Sequence, residues 1–478
     1  MQLRRGGMVY RSVVFLILAL GLLGSLAVAQ NFRGGIVGSV TDPAGAALPG
    51  AQVVAIATST NTTYKTVTSS AGEFSFADLP LGDYTVMVSA SGFAAQSIKN
   101  VPVTAGVTYS LPVKVSVQSA TQTVEVQADA LSLDTTSNTQ TTVIPEEVVQ
   151  NLPNNGRDFT QMISQTTGFG GYSINGGAAY ASVNGTRTNS VNWQIEGTDN
   201  NDLWWNIPAV NQGGVSGIAG VILPVDAIEN FSFVTTAGPE TGRNAGGTAN
   251  LVIRSGTNHF HGGAYYFNRN EFFAAITPFA NGSPKNKVRN QHYGFSFGGP
   301  IFRDRTFFFI AGEHEGFVIG NQTRSTEPSA AYQALAEQDL VYYGVPVNSV
   351  SQSLLGGLWP QGALTGPASS GNYFNPGTEN GHSFNGILKL DQNVTAKDRI
   401  SFKWFIGQGN QIAPTSSYLS PYYEEAPIHV QNYSLIYNRV LTPSMSNQLS
   451  AGVSYFNQVF SDADNSFDPI KLGLNTGV

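Results

Sequence analysis

Residues 289–317 read RNQHYGFSFGGPIFRDRTFFFIAGEHEGF. Along Tyr293, Phe295 and Phe297 the apolar side chains alternate with Gly294, Ser296 and Gly298. A period of two is that of a β-strand, whose successive side chains leave opposite faces. The alternation recurs downstream. Phe384, Gly386, Leu388 and Leu390 stand against Asn385, Lys389 and Asp391. Ile400, Phe402, Trp404 and Ile406 stand against Ser401 and Lys403, and Leu449, Ala451, Val453 and Tyr455 against Ser450, Gly452 and Ser454. Strands of ~10 residues with one apolar and one polar face serve either a soluble sandwich or a transmembrane barrel.

Composition narrows the choice. Only 12% of residues are charged, against ~25% in ordinary soluble domains, while aromatics reach 11% and Gly numbers 53. That mixture suits an all-β chain with many turns and aromatic girdles, to which Tyr265, Phe307, Phe308 and Phe309 are assigned. Long Gly/Ser/Pro/Asn segments, notably Gly320 to Gly381 with a helix predicted over Pro328 to Leu340, fit extracellular loops. The net charge is −7 and no Lys/Arg cluster forms a basic face, which excludes nucleic acid as a partner. With no Cys, disulfide frameworks and Cys-ligated metal sites are ruled out.

The N-terminus points to export. Arg4, Arg5 and Arg11 precede an apolar run from Val13 to Val28, and Ala27-Val28-Ala29 forms an A-x-A cleavage pattern before Gln30. Residues 1–29 are therefore predicted to be a signal peptide; an uncleaved anchor is the alternative, for which the run is short. No later apolar run is long enough to cross a membrane as a helix, so a membrane role must use strands.

Upstream of the alternating strands the chain changes character twice. Residues 33–118 carry short strands at close spacing with turn signals such as Asp42-Pro43-Ala44-Gly45 and Leu79-Pro80-Leu81-Gly82-Asp83 between them. That spacing predicts a β-sandwich. The stretches GSVTDPAGAALPGAQVVA and TNTTYKTVTSSAGEFSFADLPLGDYTVMVSASGF resemble the carboxypeptidase-regulatory-like domain, a transthyretin-like sandwich. The resemblance implies no peptidase activity, and no His occurs before His259. Residues 119–140, rich in Thr, Gln and Ser, read as a flexible linker. Within it Thr123, Val124, Glu125, Val126, Gln127 and Ala128 resemble a TonB box, a segment that adds as a strand to a partner's sheet edge. A last sandwich strand or a plain linker is the alternative.

Residues 141–257 contain LPNNGRDF at 152–159, SVNGTRTNSVNWQIEGTDNND at 182–202 and VDAIENFSFVTTAGPETGRNAGGTANLVIRSGTN at 225–258. This succession resembles the α+β plug domain of Oar-like TonB-dependent receptors. Ile195-Glu196-Gly197 stands where relatives often carry Leu-Asp-Gly, and the carboxylate is kept. Residues 258–478 then read as the first strands of an outer-membrane antiparallel β-barrel. About seven strands are predicted up to Asn457, whereas a plugged transporter has on the order of 22. An open edge in lipid costs several kcal/mol per unpaired backbone group, so the expectation is a partial sequence. The predicted fold class is thus mostly β, in three successive domains.

Little in the sequence supports covalent chemistry. His259 and His261 share a strand face without a third ligand, and Asp199-Asn200-Asn201-Asp202 lacks the rest of a calcium loop. There is no nucleophile elbow or P-loop, and Gly214 to Gly220 reads as a plug loop. The expectation is no enzyme and no cofactor. Trp204, Trp205 and Asn206 are candidate cargo contacts, because exposed aromatics beside amides bind amphipathic ligands; packing against the barrel wall is the alternative. Arg187, Glu196, Glu240, Arg243 and Arg254 are candidates for holding the plug by breakable polar contacts.

The resemblance implies energy-coupled uptake of a large or scarce nutrient across the outer membrane, with the sandwich in the periplasm. Its partners would be TonB with ExbB/ExbD, outer-membrane lipids and an extracellular cargo such as an oligosaccharide, a peptide or a metal chelate. The alternative is a structural or adhesive surface protein without transport.

Overall fold

The computed structural model describes residues 34–471 apart from internal stretches, the longest being 118–123, 128–139, 171–181, 236–243, 279–284, 358–372 and 415–421. The predicted signal peptide lies outside the described residues.

The N-terminal strands are β1 (Gly34–Thr41), β2 (Gln52–Ala57), β3 (Thr63–Val67), β4 (Glu73–Leu79), β5 (Gly82–Ser89), β6 (Gln96–Val103), β7 (Thr108–Ser110), β8 (Val113–Lys114) and β9 (Val124–Gln127). They form two sheets, β4-β1-β7 with β8 beside β1, and β3-β2-β5-β6-β9. Alternate residues point inward, so Ile36, Val53, Ala55, Tyr84, Val86, Val88 and Val101 are buried between the sheets. Tyr84 keeps its hydroxyl satisfied by donating to Pro80 O at 2.9 Å. The segment read as a linker contributes β9, which runs parallel to β6 with Gln96 opposite Val124 and Lys99 opposite Gln127. Its Thr/Gln/Ser composition carried the linker reading, and the Val124/Val126 alternation marks the strand.

The second unit, called the plug here after the resemblance noted in the sequence, holds β10 (Thr141–Pro145), helix α1 (Glu146–Asn151), β11 (Asn192–Ile195), β12 (Thr198–Asp199), β13 (Ile228–Val234) and β14 (Thr248–Ile253). Its sheet runs β10-β13-β14-β11-β12, with β11 and β14 parallel. Every residue of β14 is buried. Trp193 sits at the centre, its ring 6.3 Å from Phe159 and 6.5 Å from Phe231.

Seven long strands follow in one antiparallel sheet: β15 (His261–Asn270), β16 (Val288–Phe302), β17 (Thr306–Gly320), then, after short β18 (Thr323–Ser325) and β19 (Tyr373–Asn375), β20 (Thr378–Asn393) and β21 (Asp398–Pro414), with β22 (Tyr423–Glu425) preceding β23 (Ile428–Thr442) and β24 (Met445–Gln458), and β25 (Ser461–Asp462) pairing β22. The connections at 303–305, 394–397 and 443–444 are short and lie at one end of the sheet. The strand ends that flank the long connections, Asn270 and Val288, Gly320 and Thr378, and Pro414 and Ile428, lie at the other. In outer-membrane barrels the short turns are periplasmic and the long loops extracellular, which orients the wall. Among the described residues the sheet is open, β15 pairing only β16 and β24 only β23.

The predicted alternation holds on this wall. Tyr293, Phe295, Phe297 and Phe384 are exposed on its outer face, whereas Asn385, Lys389, Asp391 and Lys403 are buried on the inner one. Three consecutive phenylalanines cannot share a face, and here the girdle assignment is corrected. Phe308 points outward, but Phe307 and Phe309 are buried, and Phe309 belongs to the plug's apolar core. Tyr265 also leaves the girdle, its hydroxyl donating to Glu313. The inner face is not uniformly polar, because Phe309, Ala311, Ile387, Phe405, Ile428 and Val430 pack on the plug. In the long loop, the helix predicted over 328–340 is α2 (Ala330–Tyr342), capped by the Ser329 hydroxyl accepting from Tyr332 N at 3.2 Å. A further helix, α3 (Ser349–Gly357), follows it.

Candidate functional site: an aromatic pocket and the plug latches

Two features of the plug carry chemistry. The first is the loop after β12. Asp202 accepts three backbone donors, Trp204 N and Trp205 N at 2.7 Å on one oxygen and Ile207 N at 3.0 Å on the other. Asn201 braces the base of the loop, its Oδ1 accepting from Trp193 N at 2.7 Å and its Nδ2 donating to Val191 O and Asn206 O. In the Asp-Asn-Asn-Asp run each residue thus accepts from a backbone N–H, Asp199 from Asn201 N at 2.9 Å and Asn200 from Val210 N at 3.2 Å. Stapled this way, the loop cannot collapse, and Trp204 and Trp205 stay 85% and 52% exposed. They line a cavity of about 1410 Å³ together with Gln212, Tyr455 and Phe460. Asn206 has a structural part: it sits at a φ of 58°, and its amide donates to Asn189 O at 2.7 Å.

The second feature is a set of polar latches between plug and wall. The β11–β12 turn has positive φ at both central residues, 52° at Glu196 and 74° at Gly197, the geometry of a tight type I′ hairpin. It thrusts the Glu196 carboxylate against the wall, where Lys389 Nζ donates to it. Lys389 also donates to Ile253 O at 2.7 Å, and Lys403 to Ile195 O at 2.8 Å. Lys389 and Lys403 are register partners on β20 and β21, both buried. Like charges directly opposite destabilise a sheet, and burial raises that cost. The carboxylate and the two carbonyls from the plug offset it, so this part of the wall is shaped for the plug.

A second latch starts from Asn154-Asn155-Gly156-Arg157, where φ is 68° at Gly156 and 53° at Arg157. The Arg157 guanidinium pairs with Asp226 of the plug and lies 3.7 Å from Glu313 of the wall. It stacks over Tyr265 at 4.8 Å and Phe267 at 4.3 Å. Glu313 also bonds His292 Nδ1 at 2.9 Å. Nearer the long-loop end, Gln411 Oε1 accepts from Gly214 N at 3.0 Å and its Nε2 donates to Ile218 O at 2.8 Å. Among the described residues no group of three or more His, Asp or Glu is arranged to hold a metal ion.

Comparison with known proteins agrees with this architecture. The outer membrane beta barrel domain matches residues 252–477, and the carboxypeptidase regulatory-like domain matches residues 35–118. The TonB-dependent transporter Oar of Myxococcus xanthus is 27% identical over 333 residues, 65% of this chain and 29% of the relative. The chain thus carries an outer membrane beta barrel domain behind a carboxypeptidase regulatory-like domain, and it is similar to a TonB-dependent transporter. It is an outer-membrane protein, and it spans 29% of the length of that curated relative. Among solved structures, the outer membrane transporter YddB of Escherichia coli aligns over 68% of this chain and 40% of its own at 12% identity and a TM-score of 0.46. The siderophore receptor PirA of Acinetobacter baumannii aligns over 67% and 44% at 13% identity and a TM-score of 0.37.

In this chain the sequence-predicted plug residues fall into three groups. Glu196 and Arg254 face the wall: Arg254 pairs with Glu146 at 3.2 Å and lies over the Phe309 ring at 5.7 Å. Arg187 is exposed on a plug loop, its carbonyl accepting from Ser190 N at 3.0 Å. Glu240 and Arg243 lie outside the described residues, as do Thr123 and Ala128 at the ends of the TonB-box candidate. Sequence reading missed Arg157, Asp226, Glu313 and Gln411 as latch members. The one signal was Gly156 before Arg157, a turn that aims a cation.

Proposed function

We propose that the receptor takes up a large or scarce nutrient, with TonB and ExbB/ExbD supplying the energy through the segment Thr123 to Ala128. The observation that carries this reading is the paired lysine latch. Buried ion pairs add little net stability over hydrophobic packing, and this latch stands beside apolar wall–plug contacts at Phe309, Ile387 and Phe405, so stability alone does not account for it. Lys389 and Lys403 instead hold the plug by contacts that water can replace once the plug moves. Glu229 lies in the same region, and burial pushes its carboxyl up to about 7, with Lys389 opposing that shift and Glu146, Glu196 and Asp391 adding to it.

Cargo would enter the cavity of about 1410 Å³ beside Trp204 and Trp205, whose exposed rings suit a flat or amphipathic ligand such as an oligosaccharide, a peptide or a metal chelate. The test is binding of labelled members of those three classes to cells carrying wild type or the Trp204→Ala/Trp205→Ala protein. A wild-type ligand should lose roughly 1–3 kcal/mol of affinity in the double variant at equal surface expression. Unchanged affinity would remove the tryptophans from the cargo site.

A further inference from the structure

The sandwich does not hang free of the wall. Asn258, which joins β14 of the plug to β15 of the wall, donates its backbone N–H to Ser59 O at 3.0 Å. Asn393, at the short-turn end of β20, donates its side-chain amide to Thr62 Oγ1 at 3.1 Å. These two anchors are themselves bonded into the short turns. Asn258 exchanges bonds of 2.7 and 2.8 Å with Asp304, and Asn393 N donates to Arg305 O at 2.7 Å. The sandwich therefore sits on the periplasmic rim through its β2–β3 turn, against a surface held rigid by its own hydrogen bonds.

Beneath it lies a cavity of about 500 Å³ whose outer wall is the sandwich, through Thr58, Ser59 and Gly82. Its inner wall includes Glu196 and Lys389, the central latch pair. Glu196 is buried, and its Oε2 has no hydrogen-bond partner although it borders this space. A docked sandwich thus stands between periplasmic water and the latch. The β9 strand adds a mechanical link, because it is hydrogen-bonded to β6 on the edge of the same sandwich.

We infer that the sandwich is a removable cap on the periplasmic mouth of the lumen, and that a pull on β9 displaces it before the plug. This rests on the reading of β9 as the TonB contact. Displacement would open the cavity, hydrate Glu196 and Lys389, and so weaken the latch that the plug must break. The Ser59 and Thr62 contacts are single hydrogen bonds at a polar rim, and where β4 also meets β24 and Tyr64 and Asp78 face Lys397, Asp398 and Arg399 the surfaces are largely polar, so the cap can leave without opening the sandwich core.

These 478 residues contain no Cys, so within them one introduced cysteine reports one site. Ser255 and Thr257 both line the cavity. The experiment measures labelling of Ser255→Cys, repeated with Thr257→Cys, by a maleimide on a polyethylene glycol too bulky to enter the cavity. Outer membranes are labelled from the periplasmic face. At rest, labelling should run at least ten-fold slower than in the same protein with Thr62→Ala and Asn393→Ala added. In cells with TonB and an intact proton gradient it should accelerate at least ten-fold, and collapsing the gradient should reverse this. Equal labelling with and without the two rim substitutions overturns the cap. Slow labelling that energised TonB does not quicken overturns its release. Binding of the TonB C-terminal domain to the wild-type receptor then separates the failures: intact binding means that the cap stays docked, and absent binding means that β9 is not the TonB contact.

Discussion

Lys389→Met isolates the latch. Lys389 and Glu196 have side chains only 6% and 3% exposed, so removing the ammonium leaves a carboxylate in the interior with no counter-charge of its own. Breaking a buried pair from one side costs about 3–5 kcal/mol. The low end applies here, because Lys403 is the register partner of Lys389 and can turn toward Glu196. Methionine fills the volume of the lysine stem, so little of the loss comes from packing. About 3 kcal/mol corresponds to roughly a hundred-fold rise in the opening equilibrium of the plug edge. The assay is amide hydrogen exchange of Asn192 to Ile195 and Thr248 to Ile253 in the membrane-embedded receptor. Exchange in Lys389→Met should be about a hundred-fold faster, while the sandwich strands keep wild-type protection. Adding Glu196→Met should recover most of the protection, since replacing both partners by apolar groups is near neutral. Wild-type exchange in the single variant, or a double variant as unprotected as the single, would refute the latch.

The remaining predictions follow from burial and pH. Phe309→Ala should destabilise the plug–wall contact by about 3–5 kcal/mol, because Phe309 is 1% exposed within the plug core, whereas Phe308→Ala should leave plug exchange unchanged. Burial pushes Glu229 up to about 7 from an ordinary 4.5, so folding favours its protonated form. Its contribution to plug stability is full below pH 4.5 and is lost as pH rises to about 7, and Glu229→Gln should remove that slope from plug hydrogen exchange measured across this window.

What the sequence made legible depended on distance along the chain. Tyr293, Phe295 and Phe297 announce an outward face because period-two alternation is local. The three-phenylalanine run at 307–309 was read as one feature, and the same alternation divides it between lipid and plug. Glu196 could be singled out as a plug carboxylate, but its partner Lys389 lies 193 positions away and nothing local joins them. Arg157 and Asp226 are 69 positions apart and were likewise invisible as a pair. The exposed tryptophans depend on Asp202, whose carboxylate was legible as a polar loop but not as the staple that three backbone donors make of it. The docking of the sandwich on Asn258 and Asn393 had no local signal, since single hydrogen bonds at a polar rim leave the composition of either surface unchanged.

The most direct test of the account is whether TonB takes hold of the receptor through the backbone of the β9 segment. Binding of the TonB C-terminal domain to outer membranes is measured for wild type, Val124→Ala and Val124→Pro. Proline removes one N–H and fixes φ, which breaks a strand pairing, whereas alanine leaves the ladder intact. The account predicts at least ten-fold weaker binding for Val124→Pro and less than about three-fold change for Val124→Ala. Equal binding by all three proteins, or binding by none, would contradict it.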